Sequence, residues 1–559
     1  MRKLFLLVVI SIFVLTACTS GVEITPDFLS STQQQSSPTA EKPFAETSPT
    51  PSLTPIIQKV WADAAVPAQL REQISLPAGW EWSNEEESPV HLIAGAKPSI
   101  SRWIYALVAP FPTVEDDFST TRLKDLWQKG EALEVGPSRI LVSSSTAAAL
   151  STLFGSPSEA VKIVSEQDLL PQAWEQDKTW AIVPFEDLEP RWKVLSLDGM
   201  SPIQKSLDVE NYPLQISFGW AGDPEVLPLF LQAWEPTRPD SPGITNRDEN
   251  LLTTLMLTGV TALVRGTAAL MERNGMEYPA QDIGDWLRDA DILHINNEVP
   301  FAKNCPAPYN WQGLVFCSQE RYIRLLESIG TDVVELSGDH FADWGPEAML
   351  FTLDLYRQRG WKIYGGGANE EEARRPALFE HHGNRIALIG CNYKEKGYAS
   401  ASPTTPGAVH CDPEWLIPLI REVKSDGYLP VVTFQHQEYY EYIARPKLQE
   451  DFRAVADAGA VIVSGSQAHQ PHAMEFYQGA FLHYGLGNLF FDQVNSMEST
   501  RTAMIDRHIF YGGQHISTEV LTITFVDYAR ARPSTLQERR DLLQKVFDAS
   551  GWSKMENIP

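Results

Sequence analysis

The stretch from Thr331 to Gly360, TDVVELSGDHFADWGPEAMLFTLDLYRQRG, decides the fold class of this chain. It opens with a short apolar run that predicts a buried strand, and polar residues such as Asp339 and His340 follow at once. Apolar residues then recur at helical spacing after Pro346. A strand, a polar loop and a helix in that order form the repeating unit of an α/β sheet.

The same unit recurs through residues 249–528, where further apolar runs alternate with helical patterns. These runs are LLTTLMLTGV at 251, ADILHINNEV at 290, WKIYGGG at 361, RIALIGC at 385, LPVVTFQHQE at 429, AVIVSGSQAH at 460 and AFLHYGLGN at 480. A shorter series occupies residues 60–245 and includes HLIAGA at 91, SRILVSS at 138 and TWAIVPF at 179. We therefore predict two α/β domains, over residues 60–245 and 249–559.

Length and charge limit the function classes that remain open. The chain has 559 residues and a hydrophobic fraction of 43%, which is ordinary for folded domains. Its 45 Lys and Arg residues against 72 Asp and Glu give a net charge of −27. Nucleic acid is therefore excluded as a partner, because a phosphate backbone is met by clustered cations.

The N-terminus predicts export. Arg2 and Lys3 precede an apolar run that is too short to span a bilayer, so residues 1–17 are predicted to be a signal peptide. The end of this run, LTAC, resembles the bacterial lipoprotein signal, which implies a lipid on Cys18 that tethers the exported chain to a membrane surface. An ordinary signal peptide with a chance cysteine is the alternative. Residues 18–59, rich in Ser, Thr, Pro and Gln, are predicted to be a flexible linker.

Four further cysteines are available for disulfides in an exported chain. They are Cys305, Cys317, Cys391 and Cys411. We favour the two local pairs, Cys305–Cys317 and Cys391–Cys411, each of which closes a short loop, and buried free thiols are the alternative. A zinc cluster is disfavoured because no Cys-x-x-Cys spacing occurs.

Polar, metal-capable residues follow several of the predicted strands. They are Asn296-Asn297-Glu298, Asp339-His340, Gln435-His436, Gln467-Ala468-His469 and Gly487-Asn488. Because ligands in open α/β sheets bind outside the carboxyl ends of the strands, these side chains are candidates for one site. Imidazole and carboxylate groups are ligands of zinc, manganese and iron, and a metal centre of this kind activates water for hydrolysis.

The order and spacing of these motifs resemble the CapA family, bacterial proteins linked to poly-γ-glutamate capsule synthesis whose domain belongs to the calcineurin-like metallophosphatase group. The motifs that carry the resemblance are Asn296-Asn297-Glu298-Val299-Pro300, Gly338-Asp339-His340-Phe341-Ala342-Asp343, Gly365-Gly366-Gly367-Ala368-Asn369, Gly465-Ser466-Gln467-Ala468-His469 and Tyr484-Gly485-Leu486-Gly487-Asn488. The resemblance implies a C-terminal metallophosphatase-like α/β/β/α sandwich. The preceding smaller α/β domain resembles periplasmic solute-binding proteins in the segment WIYALVAPFPTVEDDFSTTRLKDLWQKG at 103 and in AIVPFEDL at 181.

The resemblance also implies roles for individual residues. The metal ligands would be Glu298, Asp339, His436 and His469. His340 would protonate a leaving oxygen, as imidazole does at neutral pH, and Asp343 would orient it; a helix N-cap is the alternative for Asp343. The substrate-binding residues would be Arg265, Asn296 and Asn488, and a turn residue is an equal alternative for Asn488.

Two departures from the family pattern bear on metal binding. The Asp of the family's first strand is Val260 here, and the His two places before His469 is Gln467. His472 is near enough in sequence to replace that imidazole, but we interpret it as a surface histidine. The site is therefore expected to hold one divalent transition metal, manganese, zinc or iron, or none.

The sequence thus favours an exported, lipid-anchored CapA-family protein that acts in capsule polymer biosynthesis, with the polymer or its synthesis machinery as partner. If it is an enzyme, it is a metal-dependent hydrolase with a partly degenerate site. The alternative is a non-catalytic surface protein that binds a polymer or a small anion.

Overall fold

The computed structural model describes residues 57–131, 135–234, 243–308, 313–394, 397, 399–494 and 497–552. The predicted signal peptide, Cys18 and nearly all of the predicted linker lie outside these residues. By contacts, the described residues from 57 onward group into one compact unit. The prediction of two α/β domains within it stays a prediction. Among the described residues, the helices are all too short or too polar to cross a membrane.

The first region, up to Thr245, contains twelve described strands and five described helices. The strands are β1 Gln58–Ala62, β2 Trp80–Ser83, β3 Val90–Ala94, β4 Ser99–Pro110, β5 Asp117–Phe118, β6 Arg139–Val142, β7 Val161–Ile163, β8 Thr179–Pro184, β9 Trp192–Val194, β10 Ser196–Leu197, β11 Gln215–Gly222 and β12 Ile244–Thr245. The helices are α1 Ala68–Gln73, α2 Thr120–Lys129, α3 Ser144–Phe154, α4 Glu166–Glu175 and α5 Leu227–Ala233.

One mixed sheet organises the first region. Its strand order is β2-β1-β3-β11-β4-β8-β6-β7, and β9 and β12 also pair with β4. The long strand β4 is buried along most of its length, from Trp103 to Ala109, because the sheet is covered on both faces. Loops and the N-terminal ends of α3 and α4 surround a cleft at one edge of this sheet.

The second region contains the remaining described elements. Its strands are β13 Leu252–Leu257, β14 Val260–Thr261, β15 Ile292–Asn297, β16 Phe301–Ala302, β17 Ser318–Gln319, β18 Val333–Glu335, β19 Lys362–Tyr364, β20 Gly366–Gly367, β21 Ala377–His381, β22 Asn384–Asn392, β23 Gly407–Ala408, β24 Leu429–Gln435, β25 Ile462–Gly465, β26 Met474–Tyr477, β27 Ala480–His483, β28 Asn488–Phe490, β29 Thr502–Tyr511, β30 Gln514–Phe525 and β31 Ala531–Pro533. Its helices are α6 Arg265–Asn274, α7 Gly284–Arg288, α8 Ile323–Ser328, α9 Gly345–Gln358, α10 Glu370–Ala373, α11 Pro413–Ser425, α12 Pro446–Ala458 and α13 Leu536–Ala549.

Two sheets stack in this second region. One has the order β19-β18-β15-β13-β29-β30-β31, and the other has the order β21-β22-β24-β25-β27-β26. The strands that carry the predicted site residues, β15, β18, β24 and β25, pair in parallel with a neighbour. Their carboxyl ends therefore lie along the same edge, as the strand-end argument required.

The alternation of buried residues shows why the layers are α/β/β/α. In β22, Ile386 and Leu388 belong to the core between the sheets, whereas Ala387 and Ile389 pack with the helices outside. Strand β18 divides in the same way, between Val333 and Val334. Since successive strand residues point to opposite faces, both faces of each sheet must be apolar, which explains the continuous apolar runs in the sequence. The predicted fold class is confirmed.

The two regions share a hydrophobic core. Phe111, at the end of β4, packs with its ring centroid 5.1 Å from that of Phe476 and 5.8 Å from that of Trp552. Ion pairs also cross between the regions, with Arg539 2.7 Å from Asp116. The first sheet is thus fixed against the second region by an aromatic contact and by charge.

Candidate functional site

The position that holds an aspartate in the family pattern is part of an apolar cluster here. Val260 lies in β14, opposite Asn296 of β15 on one side and Asn488 of β28 on the other. It is fully buried and packs with neighbours that include Phe316 and Phe491. Because valine has no carboxylate, β14 supplies no ligand that could bridge two metal ions.

A metal-capable cluster remains at the ends of β15 and β18. Glu298, Asp339 and His340 each offer a ligand atom, and these atoms lie within 4.8 Å of one another. Gly338 allows this approach, because a Cβ there would lie 2.8 Å from the Cα of Glu298. The predicted ligands Glu298 and Asp339 are therefore brought together, and His340 joins them.

The two carboxylates do not titrate alike. Burial and the charge of Asp339 raise the pKa of Glu298 well above its usual range. Burial opposes ionisation of Asp339 as well, but the hydrogen bond from Glu298 and the nearby Lys394 hold its pKa below the ordinary value. Of the two carboxyl groups, Glu298 is thus the one that holds a proton more firmly, and Asp339 is the one that ionises more readily.

A lysine that the sequence analysis did not single out completes this charge arrangement. Lys394, two residues after β22, places its Nζ 3.0 Å from Asp339 Oδ2. Although burial opposes it, the charge of Asp339 raises the pKa of Lys394, so the side chain is an ammonium at neutral pH. The same strand-end rule that found the other residues could have found Lys394, since RIALIGC ends just before it.

Two buried amides line the other side of the cluster. Gln435 Nε2 donates to Glu298 Oε1 at 2.9 Å and also to Gln467 Oε1. Gln467 stands where the family pattern has a histidine. Its side-chain oxygen already accepts a hydrogen bond from Gln435. Gln435 thus links Glu298 to Gln467 in one buried hydrogen-bond network.

His340 and Asp343 form a partly buried pair beside the cluster. His340 Nδ1 donates to Asp343 Oδ2 at 2.6 Å, and the same oxygen accepts from the backbone N–H of Phe316 at 2.8 Å. The N-cap of α9 is Trp344, so Asp343 does not cap that helix. With Nδ1 engaged, His340 has its Nε2 available to a metal or to a reacting oxygen.

The other predicted imidazole ligands do not belong to this group of ligand atoms and are bonded to other side chains. His436 Nε2 donates to Asp451 Oδ2 at 3.0 Å, and its ring stacks on Tyr393. His469 Nδ1 donates to Asn488 Oδ1 at 2.8 Å. His436 fails to reach Glu298 because Gln435, its neighbour in the strand, takes the face that points to the site.

His472 is not a surface histidine, contrary to our interpretation of the sequence. It is 1% exposed and stacks on Tyr439 with ring centroids 4.3 Å apart. Burial lowers the pKa of His472 to about 3, so the ring is neutral. It packs in the core rather than replacing the missing imidazole.

The three predicted substrate-binding residues differ in their surroundings. Arg265 donates through Nε and Nη2 to Asp492 Oδ1, at 3.0 and 2.6 Å, and is therefore held by a buried carboxylate. Asn296 donates to the backbone oxygen of Ser466, which leaves its buried Oδ1 without a partner. Asn488 is a strand residue, not a turn, and its buried Nδ2 is also unpartnered.

Two disulfides brace the loops beside the site. Cys305 is bonded to Cys317, and Cys391 to Cys411, which is the local pairing that the short loops favoured. The second disulfide lies at the end of β22, directly before the segment that carries Lys394.

The donor set of the cluster fits one divalent ion. Two carboxylates and an imidazole nitrogen are ligands of zinc, manganese and iron. The apolar packing of Val260 and the bonded amide of Gln467 do not fit a second ion. An ion bound by Asp339 would have to compete with the ammonium of Lys394.

The second region is thus an α/β/β/α sandwich with a group of metal-capable residues at the ends of its strands. Residues 254–493 match the family described as "Bacterial capsule synthesis protein PGA_cap". The second region is therefore similar to this capsule synthesis family over those residues, and the resemblance seen in the motifs is confirmed.

Relatives of known name agree with this family. The PGA biosynthesis protein CapA of Bacillus subtilis is 25% identical over 341 residues, which cover 60% of this chain and 83% of that protein. The capsule biosynthesis protein CapA of Bacillus anthracis is 22% identical over 347 residues, with the same coverage of 60% and 83%.

Solved structures show weaker likenesses. A 5'-nucleotidase precursor from Thermus thermophilus is 14% identical, with a TM-score of 0.31, over 55% of this chain and 60% of that one. An ABC-type phosphate transport receptor from Vibrio cholerae is 10% identical, with a TM-score of 0.22, over 26% of this chain and 74% of that one.

Proposed function

We propose that this chain acts in the synthesis of an amide-linked, anionic capsule polymer of the poly-γ-glutamate type, as a one-metal hydrolase at the cell surface. The observation that carries the proposal is the convergence of Glu298, Asp339 and His340 within 4.8 Å, inside the segment that matches the capsule synthesis family. The names of the Bacillus relatives place those proteins in capsule synthesis, and we extend this to the present chain.

The residues of the cluster suit hydrolysis of an amide or a phosphoester. Glu298, Asp339 and His340 would hold one divalent ion, which when bound supplies a Lewis acid and lowers the pKa of a water molecule. His340 is oriented by Asp343 through its Nδ1, so its Nε2 can alternatively hold a proton for the leaving group. The buried Nδ2 of Asn488 and Oδ1 of Asn296 are unsatisfied groups that a substrate can meet.

Localisation is the second part of the proposal. The signal-like residues 1–17 and the lipidation motif at Cys18 support a lipid anchor with residues 18–59 as spacer. A Cys18→Ala variant, followed by fractionation of cells, tests this part by itself. Release of the variant into the medium, with the unchanged chain retained on the membrane, is the expected result.

Metal analysis tests the site. We expect about one equivalent of manganese, zinc or iron per purified chain, and metal-stimulated shortening of poly-γ-glutamate. Asp339→Asn should lose the metal, whereas Asp354→Asn, an exposed carboxylate of α9, should keep it. A protein that binds no such ion and cleaves nothing when Mn²⁺ is added would refute the enzymatic reading.

A non-catalytic binding protein is the second candidate, and one observation favours it. Lys394 already neutralises Asp339 at 3.0 Å, so the site is electrostatically complete without an ion. In that case the protein would bind a capsule polymer segment with an affinity that metal chelation leaves unchanged.

A further inference from the structure

A cleft in the first region lies away from the cluster described above. It has a volume of about 710 Å³, within the range of small-molecule sites. Its floor and walls come from the segment after β1, the starts of α3 and α4, and the end of β8. We call it the first-region cleft.

The charged side chains of this cleft are mostly acidic. Asp63, Glu72, Glu166 and Asp187 line it, and among the described lining residues Arg71 is the single cation. Arg71 is placed over the ring of Trp82, at 5.0 Å from the centroid. The cleft therefore has a negative potential, which attracts cations and repels oxyanions.

The helix starts in the cleft are already occupied by groups of the chain. Helix α3 is capped by Ser143, whose side chain accepts from the backbone N–H of Thr146. Helix α4 carries Glu166 and Asp168 in its first turn. The Ser143 side chain already binds a backbone N–H at the start of α3, and the carboxylates at the start of α4 repel an anion. An oxyanion is therefore disfavoured at both helix N-termini.

A buried hydroxyl points to a ligand independently of the charges. Tyr105 lines the cleft, is 1% exposed, and has an unpartnered Oη. Asp187 is exposed at the same cleft and makes no hydrogen bond or ion pair with another described residue. A buried hydroxyl such as that of Tyr105 normally has a hydrogen-bond partner. A ligand that offers polar hydrogens to the cleft would supply the missing partner.

The described carboxylates of the cleft do not form a group of three ligands close enough for a metal ion. Among the described residues, the cluster at Glu298 is the one place where three metal-capable side chains lie within 4.8 Å of one another. Spread charges around a cavity with apolar walls, such as Val66, Pro67 and Ile74, suit an organic cation instead.

We propose that the first-region cleft binds a small organic ammonium ion, with Asp187 and Glu166 facing the charge and the hydroxyl of Tyr105 accepting from its N–H. This goes beyond the proposed function, because it concerns a site in the first region that the capsule synthesis match does not cover.

Titration calorimetry on the purified protein at 150 mM salt tests the proposal, with 1,4-diaminobutane and L-lysine as probes. We expect saturable binding at one site per chain. Asp187→Asn and Glu166→Gln should each weaken it at least tenfold, and Tyr105→Phe should weaken it less. Glu86→Gln is the matched control, since Glu86 is an exposed carboxylate of the same region outside the cleft.

Several results would overturn the proposal. Binding of inorganic phosphate but of neither ammonium probe would do so, as would binding of Ca²⁺ that Asp187→Asn abolishes while the ammonium probes fail. An equal loss in Glu86→Gln would show unspecific charge attraction. Failure of both probes to bind at millimolar concentration, with the unfolding temperature of every variant unchanged, would also overturn it.

Discussion

Lys394 Nζ lies 3.0 Å from Asp339 Oδ2, so a side chain of this protein already provides a positive charge at the remaining metal-capable cluster. The lysine side chain is 32% exposed and can withdraw toward solvent, whereas Asp339 is 8% exposed and is fixed. Metal binding and this ion pair are therefore competing states of one carboxylate.

Replacing this lysine should strengthen metal binding. In Lys394→Gln, we expect the affinity for Mn²⁺ to rise roughly tenfold, about 1.4 kcal/mol, because the ion no longer displaces an ammonium. Titration calorimetry with Mn²⁺ measures the change. Lys129→Gln, which removes an exposed lysine of α2, is the control. Unchanged affinity in Lys394→Gln would mean that the pair does not compete with the ion.

The pair of Arg265 and Asp492 is expected to stabilise the fold. Asp492 is 3% exposed on its side chain, and its Oδ2 also accepts from the backbone N–H of Gly266 at 2.7 Å. Removing the cation in Arg265→Met leaves this carboxylate buried and unpaired, which should cost about 3 kcal/mol in the free energy of unfolding. Chemical denaturation measures it.

The exposed pair of Arg374 and Glu370 is the control for that experiment. Glu370→Gln should change the unfolding free energy by less than about 0.5 kcal/mol, because exposed pairs contribute little. If Arg265→Met instead leaves stability unchanged and weakens substrate binding, Arg265 has the substrate-binding role that the family resemblance implied.

The disulfide between Cys391 and Cys411 should stabilise the loop that carries Lys394. The bond closes a loop of sequence separation 20, so the double variant Cys391→Ala/Cys411→Ala should lose about 3 kcal/mol of unfolding free energy. Guanidinium denaturation with and without a reducing agent measures this loss. A reducing agent that destabilises the double variant as much as the parent protein would assign the effect to Cys305–Cys317 instead.

Stability should depend on pH through a carboxyl group of the first region. Burial raises the pKa of Glu186 from 4.5 to about 7. The folded state therefore keeps a proton that the unfolded state releases, so this contribution is complete below pH 4.5 and is lost as the pH rises through 7. Between pH 4.5 and 8, the unfolding temperature of Glu186→Gln should rise relative to that of the parent protein.

Thermal unfolding at a series of pH values measures that difference. Glu87→Gln is the matched comparison, because it removes an exposed carboxyl group of the same region. A constant difference for Glu186→Gln would show that Glu186 ionises with an ordinary pKa in the folded protein.

The strand-end rule located much of the site from the sequence. The closeness of Glu298 and Asp339 could be predicted, because each follows a strand and parallel strands end at the same edge of a sheet. His436 could not be placed correctly, since a strand alternates its faces and the exact end of β24 decides whether Gln435 or His436 points to the site. Lys394 follows a predicted strand too and could have been found by the same rule, and the parallel pairing of β22 with β24 brings it to the same edge.

The packing of Phe111 against Phe476 and Trp552 has a consequence for how the protein can be divided. A fragment that begins near Glu249 would expose to water an aromatic surface that the first region normally covers. Such a surface favours self-association. A fragment meant to stay monomeric should therefore begin ahead of Gln58. The segment that matches the capsule family should be produced together with the region before it.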